Sequence, residues 1–205
     1  MEQPQPDFAQ AIAYAIQRLE TELPPYLTYH SCWHTKEDVL PAAVRLAHLS
    51  GFPEEDVRMV EVAAAYHDIG FLYTIEEHEM VGASIAAQML PEFGFRWPQI
   101  ERIINLIMAT RLPQSPGNLL EQCMADADLD ALGREDFLER SEALRLETAA
   151  LGQPLDLITW NERQLFFLEA HQYFTAAARS LREASKQEHI ALLKARIGQG
   201  SSPTY

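Results

Sequence analysis

Ala63-Ala64-Ala65-Tyr66-His67-Asp68-Ile69-Gly70 closes an apolar helical run on a histidine next to an aspartate. Upstream, Val57, Val60 and Ala64 recur at helical spacing, and one further turn of that face reaches His67 and Asp68. Glu54, Arg58 and Glu61 fall on the opposite side, so the two ligand-type side chains point inward. Burying an imidazole beside a carboxylate is costly unless both are compensated, and a divalent cation compensates both at once. Gly70 supplies a C-terminal stop, which places the negative end of the helix dipole near such a cation. A lone His-Asp pair is more often a hydrogen-bonded helix end, so partners elsewhere in the chain must decide.

Outward from this helix, the chain reads as a series of amphipathic helices. Asp7 to Leu23 carries Phe8, Ala11, Ile12, Ala15, Ile16 and Leu19 at helical spacing and stops at Pro24-Pro25. In the next stretch His30 and His34 stand four apart and would share a face if the segment is helical. Lys36 to Ser50 forms a helix whose Pro41 predicts a kink or a broken first turn, and Gly51 ends it. Pro53 to Ile69 is the opening helix, with Glu54, Glu55 and Asp56 at its positive end.

On the other side, Glu76-Glu77-His78-Glu79 leads into a helix with an expected inner face of Val81, Ile85 and Met89. Gly82, Ala83, Ser84, Ala86 and Ala87 let it approach a neighbour closely. Trp97 to Thr110 is an apolar helix, and Pro113 to Asn118 is a loop. Leu119 to Leu132 contains Asp126, Asp128 and Asp130, too acidic for an ordinary core-facing turn, so a cationic partner is expected nearby. Arg134 to Ala150 is the next helix, and Asp156 to about Ile197 continues in helical patterns before a Gly-Ser-Pro tail. The class is all-α, a helical bundle without strand ladders.

At 205 residues and 47% hydrophobic content the chain can bury one sizeable core, which predicts a single domain. Its core spans about 26–133, with the helices of 134–197 packed on it and 198–205 as a flexible tail. Sixteen Lys+Arg against 30 Asp+Glu give a formal charge of −14, which repels polyanions and argues against nucleic acid as the main partner. Cys32 and Cys123 form no paired motif, in keeping with a reducing cytoplasm. The first residues lack the basic-then-apolar pattern of an export signal, and no apolar run reaches membrane-spanning length.

Taken in order, His34, His67-Asp68 and an aspartate of Asp126-Ala127-Asp128 resemble the H…HD…D pattern of the HD-domain superfamily, mostly metal-dependent phosphohydrolases. The likeness runs roughly from Tyr29 to Gly133 and implies an HD-like helical bundle. It implies that His34, His67, Asp68 and Asp128 hold one divalent cation, with Asp126 as the alternative to Asp128 and His30 as the alternative to His34. Mixed nitrogen and oxygen ligands suit Mn, Fe, Co, Ni or Zn without distinguishing them. A second cation is allowed, although Thr110 stands where two-metal members commonly carry a histidine.

Asp68 and His78 are the expected catalytic residues, and Arg111, Lys36 and Arg134 the expected contacts to a phosphate, with Arg145 a further cation. The implied substrate is a small phosphomonoester or phosphodiester, a nucleotide among the candidates, and a homodimer is allowed. Two other readings share the scaffold: a regulatory module that binds a ligand in the HD pocket, and a di-iron oxygenase.

Overall fold

The structure is a computed structural model, and it describes residues 5–200. Among these, all regular secondary structure is helical, as expected. The chain begins with α1 (Phe8–Glu22), whose first turn is closed by Asp7 accepting the backbone N–H of Gln10, and which buries Ala11, Ala15 and Leu19. A π-helical turn, His34–Val39, runs directly into α2 (Leu40–Leu49). The irregularity expected at Pro41 therefore lies in the preceding turn. A proline ring collides with the carbonyl four residues back, and widening that turn avoids the clash.

The centre of the fold is α3 (Glu54–Tyr66), which packs against α1, α2, α5 (Trp97–Met108) and α6 (Leu119–Asp128). Its start carries Glu54, Glu55 and Asp56, and Val57, Met59, Val60 and every residue from Val62 to Tyr66 are buried. A helix surrounded by other helices is apolar on all sides, and only Glu54, Arg58 and the flanking polar residues of its first turns reach the edge.

This helix ends at Tyr66 rather than Ile69. His67 is its cap, Asp68 leaves helical geometry (φ −99°, ψ 0°), and Ile69–Leu72 forms a 3₁₀ turn. Gly70 does not act as a left-handed stop. A Cβ there would run into the backbone carbonyl of His78, so the glycine is needed for close approach to α4 (His78–Met89). From the α4 side, a Cβ on Gly82 would lie 3.0 Å from the Tyr66 carbonyl oxygen and 3.3 Å from that of His67.

The small residues of α4 thus form its inner face, as Gly82, Ala83, Ala86 and the buried Glu79, while Val81, Ile85 and Met89 flank it instead of leading it. Backbone-to-backbone contact leaves no room for larger side chains at the seam. Glu77, just before α4, takes a left-handed conformation (φ 55°) that aims His78 back toward the end of α3.

Asn118 caps α6, which stops at Asp128 and not Leu132; Asp130–Gly133 tightens into a 3₁₀ turn. The next helix, α7 (Phe137–Ala150), starts later than Arg134, whose extended backbone precedes it. The C-terminal region divides into α8 (Leu157–Ala170) and α9 (Ala176–Gly200). The expected tail at 198–205 begins too early, because α9 runs to Gly200; 201–205 lie outside the described residues.

Packing of the C-terminal helices on the rest is anchored by charge. Asp130 accepts from Arg182 of α9 and from Arg45 of α2, and these are the cations that its burial calls for. No helix among the described residues is long and apolar enough to cross a membrane.

Candidate metal centre

Four side chains from three places in the chain converge at the C-terminal end of α3. His34 comes from the π-helical turn, His67 and Asp68 from the end of α3, and Asp128 from the last position of α6. His67 Nε2 lies 3.2 Å from Asp68 Oδ2 and 3.4 Å from Asp128 Oδ1. His34 Nε2 lies 3.5 Å from Asp128 Oδ1 and 3.9 Å from Asp68 Oδ2.

His34 Nε2, His67 Nε2 and Asp68 Oδ2 are all buried and lack a hydrogen-bond partner. Buried polar atoms left unsatisfied cost free energy, and three aimed at one point call for a shared partner. Ligands about 2.1 Å from a tetrahedral ion sit about 3.4 Å apart, which matches the separations here. The donor set of two imidazoles and two carboxylates therefore fits a divalent cation.

The imidazoles are already turned for this task. His67 Nδ1 donates to the Ala64 carbonyl at 2.7 Å, which fixes its tautomer and leaves the Nε2 lone pair facing the cluster. His34 Nδ1 faces Asp38 Oδ2 at 3.4 Å, one π-helical turn on. Burial alone would lower the His34 pKa, but Asp128, Asp38 and Asp68 push it up to about 9. His67 is likewise held above its ordinary value against its burial by Asp68 and Asp128. The carboxyls of Asp68 and Asp128, although buried, are held well below the usual range by the facing histidines. The two carboxylates thus favour positive charge at this point, the demand that a divalent cation would meet.

Asp126 does not join the cluster. Its carboxylate accepts the backbone N–H groups of Phe174 and Thr175 at 2.8 Å and the Thr175 hydroxyl at 2.7 Å, closing the break before α9. Asp126, Asp128 and Asp130 therefore serve three different ends: a brace for the turn before α9, the His/Asp cluster and an arginine clamp. A helix that stops at Asp128 sends alternate residues in different directions.

His78 is half-buried, with Nε2 3.6 Å from the second oxygen of Asp68 and Nδ1 3.2 Å from the Ile75 carbonyl. Its ring stacks on Phe71 at 3.8 Å, and Phe71 stacks in turn on His30 at 4.5 Å. His30 is not helical and does not replace His34. Its Nδ1 sits 2.5 Å from Glu147 of α7, whose other oxygen accepts the N–H groups of Tyr29 and His30.

Arg111 reaches the edge of this region, donating to Glu77, the residue before His78, at 2.7 Å. Lys36 is exposed, two residues past buried His34, and its charge acts on Cys32. Arg134 is committed to carboxylates, donating to Asp38 and to both oxygens of Asp136, so it supports His34 through Asp38 and has little left for a phosphate. Arg145 is taken up by Glu142 and the Leu155 carbonyl. Thr110 is buried with its hydroxyl on the Ile107 carbonyl, a self-contained helix end.

Three residues of the site lie beyond the sequence reading. Asp38 follows His34 by four, a helical spacing that could have exposed it; Glu147 and Tyr29 carried no such signal. The Tyr29 ring lies 4.8 Å from that of His34, and its burial together with Asp128, Asp38 and Asp68 raises its phenol pKa.

Comparison with known proteins bears on the fold. Residues 36–132 match the family model described as HD domain. A solved predicted HD superfamily hydrolase from an uncultured Thermotogales bacterium superposes with a TM-score of 0.62 at 19% identity, covering 96% of this chain and 94% of its own. YpgQ of Bacillus subtilis, solved in complex with ADP, gives 0.64 at 19% identity over 96% and 97%. A Lactobacillus plantarum protein gives 0.66 at 18% identity over 94% and 97%. No curated protein matches the sequence.

Proposed function

We propose, from the premise that residues 36–132 are an HD domain, that this chain is a metal-dependent phosphohydrolase acting on a small phosphate ester, a nucleotide among the candidates. The observation that carries the reading is the convergence of unpartnered, buried His34 Nε2, His67 Nε2 and Asp68 Oδ2 with Asp128 Oδ1. His34, His67, Asp68 and Asp128 would hold the cation. When bound, the cation supplies Lewis acidity, polarising a phosphoryl oxygen and lowering the pKa of water.

The protein's own groups divide the remaining work. Asp68 has one oxygen toward the cluster and the other toward His78 Nε2, so it can take a proton from an attacking water and share it with His78. His78, held flat by Phe71 at the rim, is placed to donate that proton to a departing oxygen. Arg111 at the same edge adds positive charge beside the entering phosphate. The ADP complex of YpgQ supports a nucleotide as one candidate substrate.

The test is elemental analysis of the purified protein followed by phosphate-release assays over nucleotides and sugar phosphates with Mn, Fe, Co, Ni and Zn. Hydrolysis that disappears in His67→Ala and Asp68→Ala is the expected result. No phosphate release with any of these metals would reject the reading.

A further inference from the structure

The segment 28–33 just before the cluster is held by α7. The Thr28 hydroxyl donates to the Ala143 carbonyl at 2.7 Å, and Arg140 lies over the Trp33 ring at 4.2 Å. Between them, one oxygen of buried Glu147 accepts the backbone N–H groups of Tyr29 at 2.8 Å and of His30 at 3.0 Å. The other oxygen meets His30 Nδ1 at 2.5 Å. Both sides of this seam lie outside the matched residues 36–132, so the backbone at Tyr29 is pinned by chain that the family model does not reach.

The Tyr29 ring packs on two imidazoles. Its centroid is 4.8 Å from that of His34, tilted by 35°, and 4.8 Å from that of His30, edge-on at 80°. These contacts and the fixed backbone restrict where the phenol can point. Its hydroxyl makes no hydrogen bond among the described residues. Unlike the hydroxyl of Tyr66, it is not sealed away from solvent, so a small ligand can reach it.

Electrostatics show which way the hydroxyl faces. After burial itself, Asp128 acts on the phenol most strongly, followed by Asp38 and Asp68. Asp38 stands on the Nδ1 side of His34, whereas Asp128 and Asp68 stand 3.5 and 3.9 Å from its Nε2. The lead of Asp128 over Asp38 sets the hydroxyl toward the Nε2 edge, the edge that looks into the cluster. The cluster opens on the same side, because the Asp128 side chain is 19% exposed while those of His34, His67 and Asp68 are 3% or less.

We propose that the Tyr29 hydroxyl donates a hydrogen bond to an oxygen of the phosphoryl group bound at the cluster, on the Asp128 side. This rests on the phosphohydrolase reading and deepens it by naming a donor of the chain's own at the reacting group. A phenol suits the place because it is a neutral donor. A cationic side chain among these carboxylates would be drawn into ion pairs, as Arg134 is by Asp38 and Asp136.

Isothermal titration of the full-length, metal-loaded protein with inorganic phosphate tests it, comparing the native chain with Tyr29→Phe, which keeps the ring on His34 and removes only the hydroxyl. Tyr29→Phe should bind phosphate about ten- to a hundredfold more weakly, with unchanged metal content and thermal midpoint. Phosphate should also shift the near-ultraviolet tyrosine spectrum of the native protein and leave that of Tyr29→Phe unshifted, a signature that a packing role would not produce. Equal phosphate affinity in the two proteins, with phosphate release intact, overturns the proposal but not the phosphohydrolase reading. Loss of metal from Tyr29→Phe also overturns it, since the hydroxyl would then serve the ligands rather than the anion. Failure of the native protein to bind phosphate or release it from any ester overturns both.

Discussion

His34 and Asp38, one π-helical turn apart, face each other across 3.4 Å between Nδ1 and Oδ2, and Arg134 closes on the other oxygen of Asp38. The chain Arg134–Asp38–His34 fixes the ring that offers Nε2 to the cluster. Partners one step removed from a metal commonly contribute about ten- to a hundredfold in affinity. Asp38→Asn should therefore weaken metal binding by about that factor while leaving the helical content intact, as read by competition with a chelating dye. Arg134→Gln should act in the same direction and by less.

Asp126 and Asp128, two residues apart, should separate cleanly. Asp128→Asn should remove bound metal and phosphate release with helical content unchanged, because it takes away the carboxylate that faces His34 and His67 while keeping the side chain's shape. Asp126→Ala strips the partners of two backbone N–H groups and a hydroxyl, and should cost on the order of 2–4 kcal/mol in urea unfolding with metal content unchanged. Loss of metal in Asp126→Ala at normal helicity would contradict this assignment.

Gly70 leaves no space for a side chain against the His78 carbonyl. Gly70→Ala should push α4 from the end of α3, lowering stability by about 1–3 kcal/mol and phosphate release with it, since His78 moves with the backbone it would displace. Gly51→Ala, where nothing lies within 4 Å but φ is +79°, gives a comparison in which backbone strain alone acts, away from the site.

His171 is pushed down from 6.5 to about 4 by burial and the facing Lys186, and neither ring nitrogen has a partner. The unfolded chain takes up this proton near pH 6.5 and the folded protein only near 4, so stability is full above 6.5 and falls as the pH drops through that window. The loss is on the order of 1–2 kcal/mol, given the ring's partial exposure. The native-minus-His171→Leu difference in urea midpoint should therefore be constant above pH 6.5 and fall as the pH drops from 6.5 toward 4.

The helices and the His67-Asp68 pair were legible because they rest on short-range patterns: an apolar period, a proline, a cap. His78 was legible for the same reason, standing one turn before an apolar face, although that face proved to be Gly82, Ala83 and Ala86. Val81, Ile85 and Met89 looked like the seam because size suggests burial, whereas a helix touching another's backbone needs its smallest residues there. The choice of Asp128 over Asp126 depended on which way the last turn of α6 points, and the Thr175 contact that occupies Asp126 comes from 49 residues away. Glu147 and Arg140 were hidden for the same cause: periodicity tells which face of α7 is polar, and only folding brings that face against Thr28 to Trp33.

Asp126, Asp128 and Asp130 tie one short stretch to α9, to the cluster and to the paired Arg45 and Arg182. Because the three anchors share a few peptide units, loosening of the His/Asp cluster should be coupled to loosening of the distal half of the molecule. A cation seated at Asp128 would be felt as slower amide exchange at Phe174 and Thr175, so occupancy of the centre doubles as a clasp on the C-terminal helices.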